Sequence, residues 1–280
     1  MLRDTAVALT AAGIDNVRFE ARLLLSHAAR LTVEQLIARG PDAAPADAMA
    51  RLRELTARRV RREPMAYILG EREFWGLPFK VSPAVLIPRP DSETVIETVL
   101  DLFADRSQPL RMLDLGVGSG CLLLTLLREY PQASGVAMDA SGAALEVARA
   151  NAEALGVASR TTFVTADWRQ PGWTDGLGTP FDLVVSNPPY IESETIGGLM
   201  PEVALHEPKL ALDGGPDGLA PYRIIAAESA RLLVPGGWVV VEGGERQAPD
   251  IAGIFAAAGL VPTPPRKDLG GIDRVVASQH

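Results

Sequence analysis

The chain has 280 residues, 47% of them hydrophobic, and carries a formal net charge of −8. That length favours two domains over one, and the acid excess argues against gripping nucleic acid by bulk phosphate neutralisation. A single cysteine, Cys121, rules out an intramolecular disulfide or a cysteine metal cluster, and the three histidines, His27, His206 and His280, are too scattered to make a metal motif. The first twenty residues contain an acid, Asp4, and no sustained apolar segment, so they do not read as a secretory signal. Nowhere is there a run of about 18 uncharged apolar residues, the length a membrane helix needs. A soluble, cytoplasmic protein is the expectation.

Charge divides the chain near residue 70. Residues 1–70 hold 11 arginines and no lysine against 8 acids, which leaves the remainder at −11. Apolar residues recur at helical spacing in ARLLLSHAARL (21–31), VEQLIARG and AMARLRELTARRV, with Gly40-Pro41 expected to close one helix and Pro64 to interrupt another. His27 falls inside one of these stretches as a helix-packing residue. The run Arg58-Arg59-Val60-Arg61-Arg62 reads as a solvated helix face or a partner contact. A small helical bundle is expected over 1–70. Between 71 and 90, aromatic and apolar residues mix with polar ones around Gly76-Leu77-Pro78, as in a hairpin linker. Thereafter strands and helices alternate. RMLDLG, SGVAMD, TTFVTAD, FDLVVS and GWVVVEGG are strands; CLLLTLLREY, GAALEVARANAEAL and IIAAESARLLV are helices. That alternation implies an α/β domain with a parallel, doubly wound sheet.

LDLGVGSGCLLLTLL (113–127) places Gly116, Gly118 and Gly120 between a strand and a helix, where a side chain would block close approach of backbone to ligand. Val117 and Ser119 complete the loop. Asp139 ends the next strand 19 residues after Gly120, where nucleotide-binding folds hold an acid for a ribose diol; capping the following helix is the alternative. The loop leaves two readings, a nicotinamide dehydrogenase or an S-adenosylmethionine (SAM) methyltransferase. The spacing after Gly118 is one residue short of the dinucleotide fingerprint, and no hydride-transfer acid follows. Asp167 and Trp168, at the end of the third strand, suit an adenine: the acid accepts its amino hydrogens and the indole bounds its ring.

FDLVVS leads directly into Asn187-Pro188-Pro189-Tyr190. Two adjacent residues without an N–H discard donors and fix an extended path. Strand carboxyl ends form the ligand crevice of an open parallel sheet, so this stretch faces the same ligand as the glycine loop. An amide or exocyclic amine is a poor nucleophile because its lone pair is delocalised. Asn187, through its side-chain oxygen, and the Pro188 carbonyl can accept both N–H hydrogens and draw density toward nitrogen, while Tyr190 offers a flat wall to a planar group. No catalytic histidine is needed.

EREFWGLPFKVSPAVLIPRPDSE (71–93), DLGVGSG, VSNPPYIE, PEVALHEPKLALDGGPDGLAPYR (201–223) and DLGGIDRVV (268–276) together resemble the peptide-chain release factor glutamine methyltransferases, the HemK/PrmC family. The resemblance implies a seven-stranded, Rossmann-like SAM methyltransferase domain over 91–280, a β-hairpin linker over 71–90 and a small helical substrate-docking domain over 1–70. It implies methyl transfer from SAM to the side-chain amide nitrogen of the Gly-Gly-Gln glutamine of class 1 release factors. By the same resemblance Gly116 to Gly120, Asp139, Trp168 and Asn187 contact SAM, and Asn187 to Tyr190 hold the glutamine amide. Arg89 either pairs with the methionine carboxylate of SAM or forms an ion pair with Asp91 or Glu93. Glu242 either lines the pocket or caps a helix, and His206 is a packing residue. The alternative, a DNA or RNA adenine-amino methyltransferase, lacks a basic groove and an inserted recognition segment. No stable nucleic-acid partner and no membrane association are expected.

Overall fold

Apolar side chains spaced by three and four build the N-terminal helices: α1 (Leu2–Ala11), α2 (Val17–Ala29), α3 (Val33–Arg39), α4 (Ala46–Val60) and α5 (Met65–Leu69). On α2, Ala21, Leu24, Leu25 and Ala28 form one buried stripe, packed with Leu9, Leu52, Leu55 and Ile68. The protein is described here by a computed structural model covering residues 2–39, 46–178 and 180–280. It divides into two units, Met1–Glu71 with Met200–His206, and Arg72–Leu199 with Glu207–His280. Gly40-Pro41 lies outside the described residues. Pro64 starts α5, with extended backbone (ψ 139°), after α4 has ended at Val60.

Three arginines of the run are held by partners, while Val60 and Arg61 are exposed. Arg59 is 6% exposed and bridges Glu20 (2.7 Å) and Glu202 (2.9 Å), while Arg62 reaches Glu202 (2.8 Å) and the Gly13 carbonyl (2.7 Å). Arg58 is paired with Glu63. Glu202 thereby ties Met200–His206 into the first unit. His206 sets Nε2 3.1 Å from the Arg61 carbonyl, whereas His27 is exposed on α2 and not packed between helices.

In the second unit, β1 (Glu71–Phe74) and β2 (Leu77–Lys80) form a hairpin whose turn residues, Trp75 and Gly76, both have positive φ. The hairpin is part of this unit's core. Phe74 and Phe79 are buried edge to face, and Asn151 bonds both the Lys80 N–H and its carbonyl. There follow α6 (Glu93–Leu102), β3 (Arg111–Leu115), α7 (Cys121–Glu129), β4 (Ser134–Asp139), α8 (Gly142–Ala154), β5 (Thr161–Thr165) and β6 (Phe181–Ser186). The chain continues through α9 (Pro201–His206, in the first unit), α10 (Ala220–Leu232), β7 (Leu233–Glu242), α11 (Ala248–Ala257), β8 (Val261–Pro262), β9 (Arg266–Lys267) and β10 (Asp273–Gln279).

The strands run in the order β5-β4-β3-β6-β7-β10-β8, with β9 pairing β10 off this path. Alternate residues feed opposite faces. Met112, Leu183, Val185 and Val240 pack under α6, α7 and α8, while Leu113, Leu115, Val184 and Val241 pack under α10 and α11. The sheet is not wholly parallel: β10 lies antiparallel between β7 and β8, pairing Val275 with Glu242. After α11 the chain enters at the sheet's outer edge and turns back along it. The order reverses between β3 and β6, so the loops leaving their carboxyl ends diverge and open a crevice.

Candidate active site

Register brings five strand ends to one rim. Leu115 pairs with Met138, Asp139 with Thr165, Asp114 with Val185, and Ser186 with Val241. The loops beyond β3, β4, β5 and β6 line a cavity of about 740 Å³. Gly116, Val117, Gly118, Ser119, Asp139, Asp167, Trp168, Asn187 and Pro189 all lie on its wall. Gly120, Pro188 and Tyr190 do not; Gly120 precedes the first turn of α7, Pro188 is buried, and the Tyr190 hydroxyl turns toward Glu242 (3.3 Å).

The glycine loop is held from below. The N–H groups of Gly116 and Val117 donate to the Met138 carbonyl, and Gly118 N–H donates to Asp139 Oδ2 (2.9 Å). Gly116 has φ of +77°, and a Cβ there would press on the Trp168 ring at 3.2 Å, so loop and indole can meet only through glycine. Asp139 Oδ1 accepts from Ser141 N–H (2.8 Å), while Ser141 itself caps α8. Asp139 is thus not the helix cap. Burial raises its carboxyl above the ordinary range, against the lowering effect of these N–H bonds. Asp167 is gripped by Arg169 through both oxygens, which keeps it below the ordinary range.

Asn187 continues β6 into the crevice. Its Nδ2 donates to Ser92 Oγ (3.1 Å), and Ser92 Oγ donates to Glu242 Oε2 (2.5 Å). Ser92 and Glu242 are 2% and 1% exposed. Glu242 therefore caps no helix and does not line the cavity; it lies behind the wall, its carboxyl raised by burial and opposed by the Ser92 bond. The two residues after the prolines are clamped from outside. Ile191 N–H donates to the Leu212 carbonyl, Gly214 N–H to the Ile191 carbonyl, and Gln247 Nε2 to the Tyr190 carbonyl (3.0 Å). Gly218, at φ +69°, lies so close that a Cβ would overlap the Tyr190 carbonyl oxygen.

Arg89 lines the cavity, but its ion-pair partner is Glu207 (2.5 Å), not Asp91 or Glu93. Glu93 instead accepts from Trp75 N–H, and Asp91 faces Arg274. Two wall residues carry weak sequence signals. Asp114 sits inside an apolar strand, 1% exposed, with Oδ2 accepting from Leu123 N–H and Oδ1 without a partner. Burial pushes its carboxyl up to about 7. Ser92 precedes α6, where a serine reads simply as a cap. Among the described residues no His, Cys, Asp and Glu group is arranged to hold a metal, and no helix is long and apolar enough to cross a membrane.

Residues 1–70 match the PrmC N-terminal domain and residues 94–212 the methyltransferase small domain. A release factor glutamine methyltransferase of Bradyrhizobium diazoefficiens is 45% identical over 280 residues, covering 99% of this chain and 93% of the relative. One of the same description from Caulobacter vibrioides is 46% identical over 266 residues, covering 95% and 90%. The crystal structure of a methyltransferase from Pyrococcus furiosus, 17% identical, shares the fold with a TM-score of 0.53 over 74% of this chain and 90% of that one.

Proposed function

The chain belongs to the release factor glutamine methyltransferases, and from that premise we propose that it transfers the methyl group of SAM to the side-chain amide nitrogen of the glutamine in the Gly-Gly-Gln loop of class 1 peptide-chain release factors. The observation that carries this reading is the shared wall: the glycine loop after β3 and, after β6, Asn187 and Pro189 on either side of the buried Pro188 border one cavity at the point where strand order reverses.

The wall residues suit SAM. The loop of Gly116 to Ser119 and the Trp168 indole border the space an adenosyl group needs, and Asp139 sits at the strand end where a ribose diol is held. Asp114 Oδ1 is a buried acceptor without a donor, which suits the cationic methionine end. Asp167 takes the adenine amino group if Arg169 yields one of its bonds. Bound SAM supplies an electrophilic methyl on a sulfonium.

The chain's own part is to prepare the nitrogen. Asn187 Oδ1 and the Pro188 carbonyl accept the two amide N–H hydrogens, which draws density onto nitrogen and favours a pyramidal approach. The Pro188-Pro189 link fixes one acceptor, and hydrogen bonding to Ser92 restrains the other. Methylation makes the nitrogen acidic, so its proton leaves late and no base is required. Tyr190 supports the stretch from behind, and residues 1–70 dock the protein substrate.

The test is intact-protein mass spectrometry of an unmodified release factor after incubation with this protein and SAM. The expected outcome is a gain of one methyl group, mapped by fragmentation to the Gly-Gly-Gln glutamine. Asn187→Ala is expected to retain folding and to lose activity by about a hundredfold or more, as when one preorganised polar group is removed from an active site. Methylation elsewhere, or none, rejects the proposal.

A further inference from the structure

Asn187 and Tyr190 sit three residues apart on a stretch with little freedom, yet both side chains lead to one buried carboxylate. Tyr190 reaches Glu242 Oε1 directly, and Asn187 reaches Oε2 through the Ser92 hydroxyl. Ser92 occupies the N-cap of α6 but makes no capping hydrogen bond. Its hydroxyl is turned away from the helix it precedes, toward Asn187 and Glu242.

A hydroxyl has one hydrogen, and here Glu242 Oε2 takes it. Ser92 Oγ therefore meets Asn187 with lone pairs only. The Asn187 atom facing it must be the donor, Nδ2, and the planar amide then places Oδ1 on the opposite branch, away from Ser92. Asn187 lines the cavity, so the free branch is the acceptor the proposed reaction requires. Were the Ser92 hydrogen directed at Asn187, the amide would turn over and present two donors to a substrate that also needs acceptors.

We propose that Ser92 and Glu242 are positioning residues that set which face of the Asn187 amide meets the substrate, a relay resting on the methyl-transfer reading above. Glu242 is fixed in turn by its place at the end of β7, paired with Val275, and its main-chain carbonyl accepts from the Tyr222 hydroxyl (2.8 Å). Burial raises the Glu242 carboxyl, and Arg274, whose Nη1 donates to the Gly243 carbonyl (3.1 Å), opposes that rise from nearby together with the Ser92 bond. The relay thus acts on direction, not on affinity, because neither Ser92 nor Glu242 need touch the reacting nitrogen.

The test compares full-length wild type with Ser92→Ala, Ser92→Thr and Glu242→Gln. Two readouts are taken: kcat and KM for methylation of an unmodified release factor, and the side-chain amide signals of Asn187 in selectively labelled protein. Ser92→Ala is expected to lower kcat by about 10–100-fold with little change in KM, the range seen when a supporting hydrogen bond behind a site is lost. Ser92→Thr, which keeps the hydroxyl, is expected to restore most of kcat. Glu242→Gln can donate to Ser92 and so reverse the hydroxyl; it should behave as Ser92→Ala. The Asn187 amide pair should shift in Ser92→Ala and Glu242→Gln and stay near its wild-type position in Ser92→Thr. An unchanged Asn187 signal in Ser92→Ala, or an unchanged kcat, overturns the relay. A wild type that methylates no glutamine rejects the functional reading instead, and the amide signals still decide whether Ser92 sets Asn187.

Discussion

Asp114 shows how one buried atom couples chemistry to stability. Its carboxyl is pushed up to about 7 by burial, whereas an unfolded aspartate titrates near 3.8. Between those values the folded chain holds a proton that the unfolded chain has released, so stability falls as pH rises from about 4 to about 7. Asp114→Asn removes the penalty and keeps an acceptor for Leu123 N–H. Urea unfolding is expected to find the variant more stable than wild type by about 2–4 kcal/mol near pH 8, with the gap closing toward pH 4. In the proposed cofactor site the sign for binding is opposite. A cation beside Asp114 favours the ionised form, so wild-type affinity for SAM should strengthen from about pH 6 to pH 8 and that of Asp114→Asn should stay flat and weaker, as read by titration calorimetry. Asn187 and Asp139 were legible in the sequence because each ends a strand at a motif with fixed spacing. Asp114 and Ser92 were not, since an acid in an apolar strand and a serine before a helix have ordinary local explanations.

At the scale of elements, the exit of β6 is held by a loop 25 residues or more further along the chain. Gly214 and Gly218 let the segment before α10 lie against the Pro189–Ile191 backbone, where any side chain would intrude. Gly218→Ala must displace the Tyr190 carbonyl and adopt φ of +69°, so it is expected to cost about 2–4 kcal/mol in thermal or urea unfolding. Activity should fall further than stability, because Tyr190 is the segment that moves. A result within error of wild type would show that the clamp is slack. The hairpin β1–β2 belongs to the same scale. Its composition suggested a linker, but Phe74 and Phe79 bury against α6, α7 and α8, as aromatic residues with that much apolar area do when a core is within reach.

For the molecule as a whole, the charge break near residue 70 falls at the boundary between the two units, but chain order does not follow them throughout. Met200–His206 follows β6 by some fifteen residues yet belongs with the N-terminal helices through Glu202, which Arg59 and Arg62 hold with side-chain exposures of 7% and 25%. Arg59→Ala leaves Glu20 and Glu202 without their shared partner and is expected to destabilise the first unit by about 2–3 kcal/mol. Hydrogen exchange should accelerate in α2 and in residues 200–206 while β3 and β6 keep their protection; protection unchanged in both would refute the clamp. By itself the sequence determined the alternation of strands and helices, the glycine loop, the acids at strand ends and the Asn-Pro-Pro-Tyr exit. All of these depend on local periodicity or on residues whose backbone chemistry is distinctive. Only the tertiary structure decided that β10 runs antiparallel to β7, that Arg89 pairs with Glu207, that Arg59 is bound to Glu20 rather than solvated, and that Ser92 and Glu242 stand behind Asn187. Each of those joins groups more than thirty residues apart, and which donor meets which acceptor at such a separation is settled by how the layers pack.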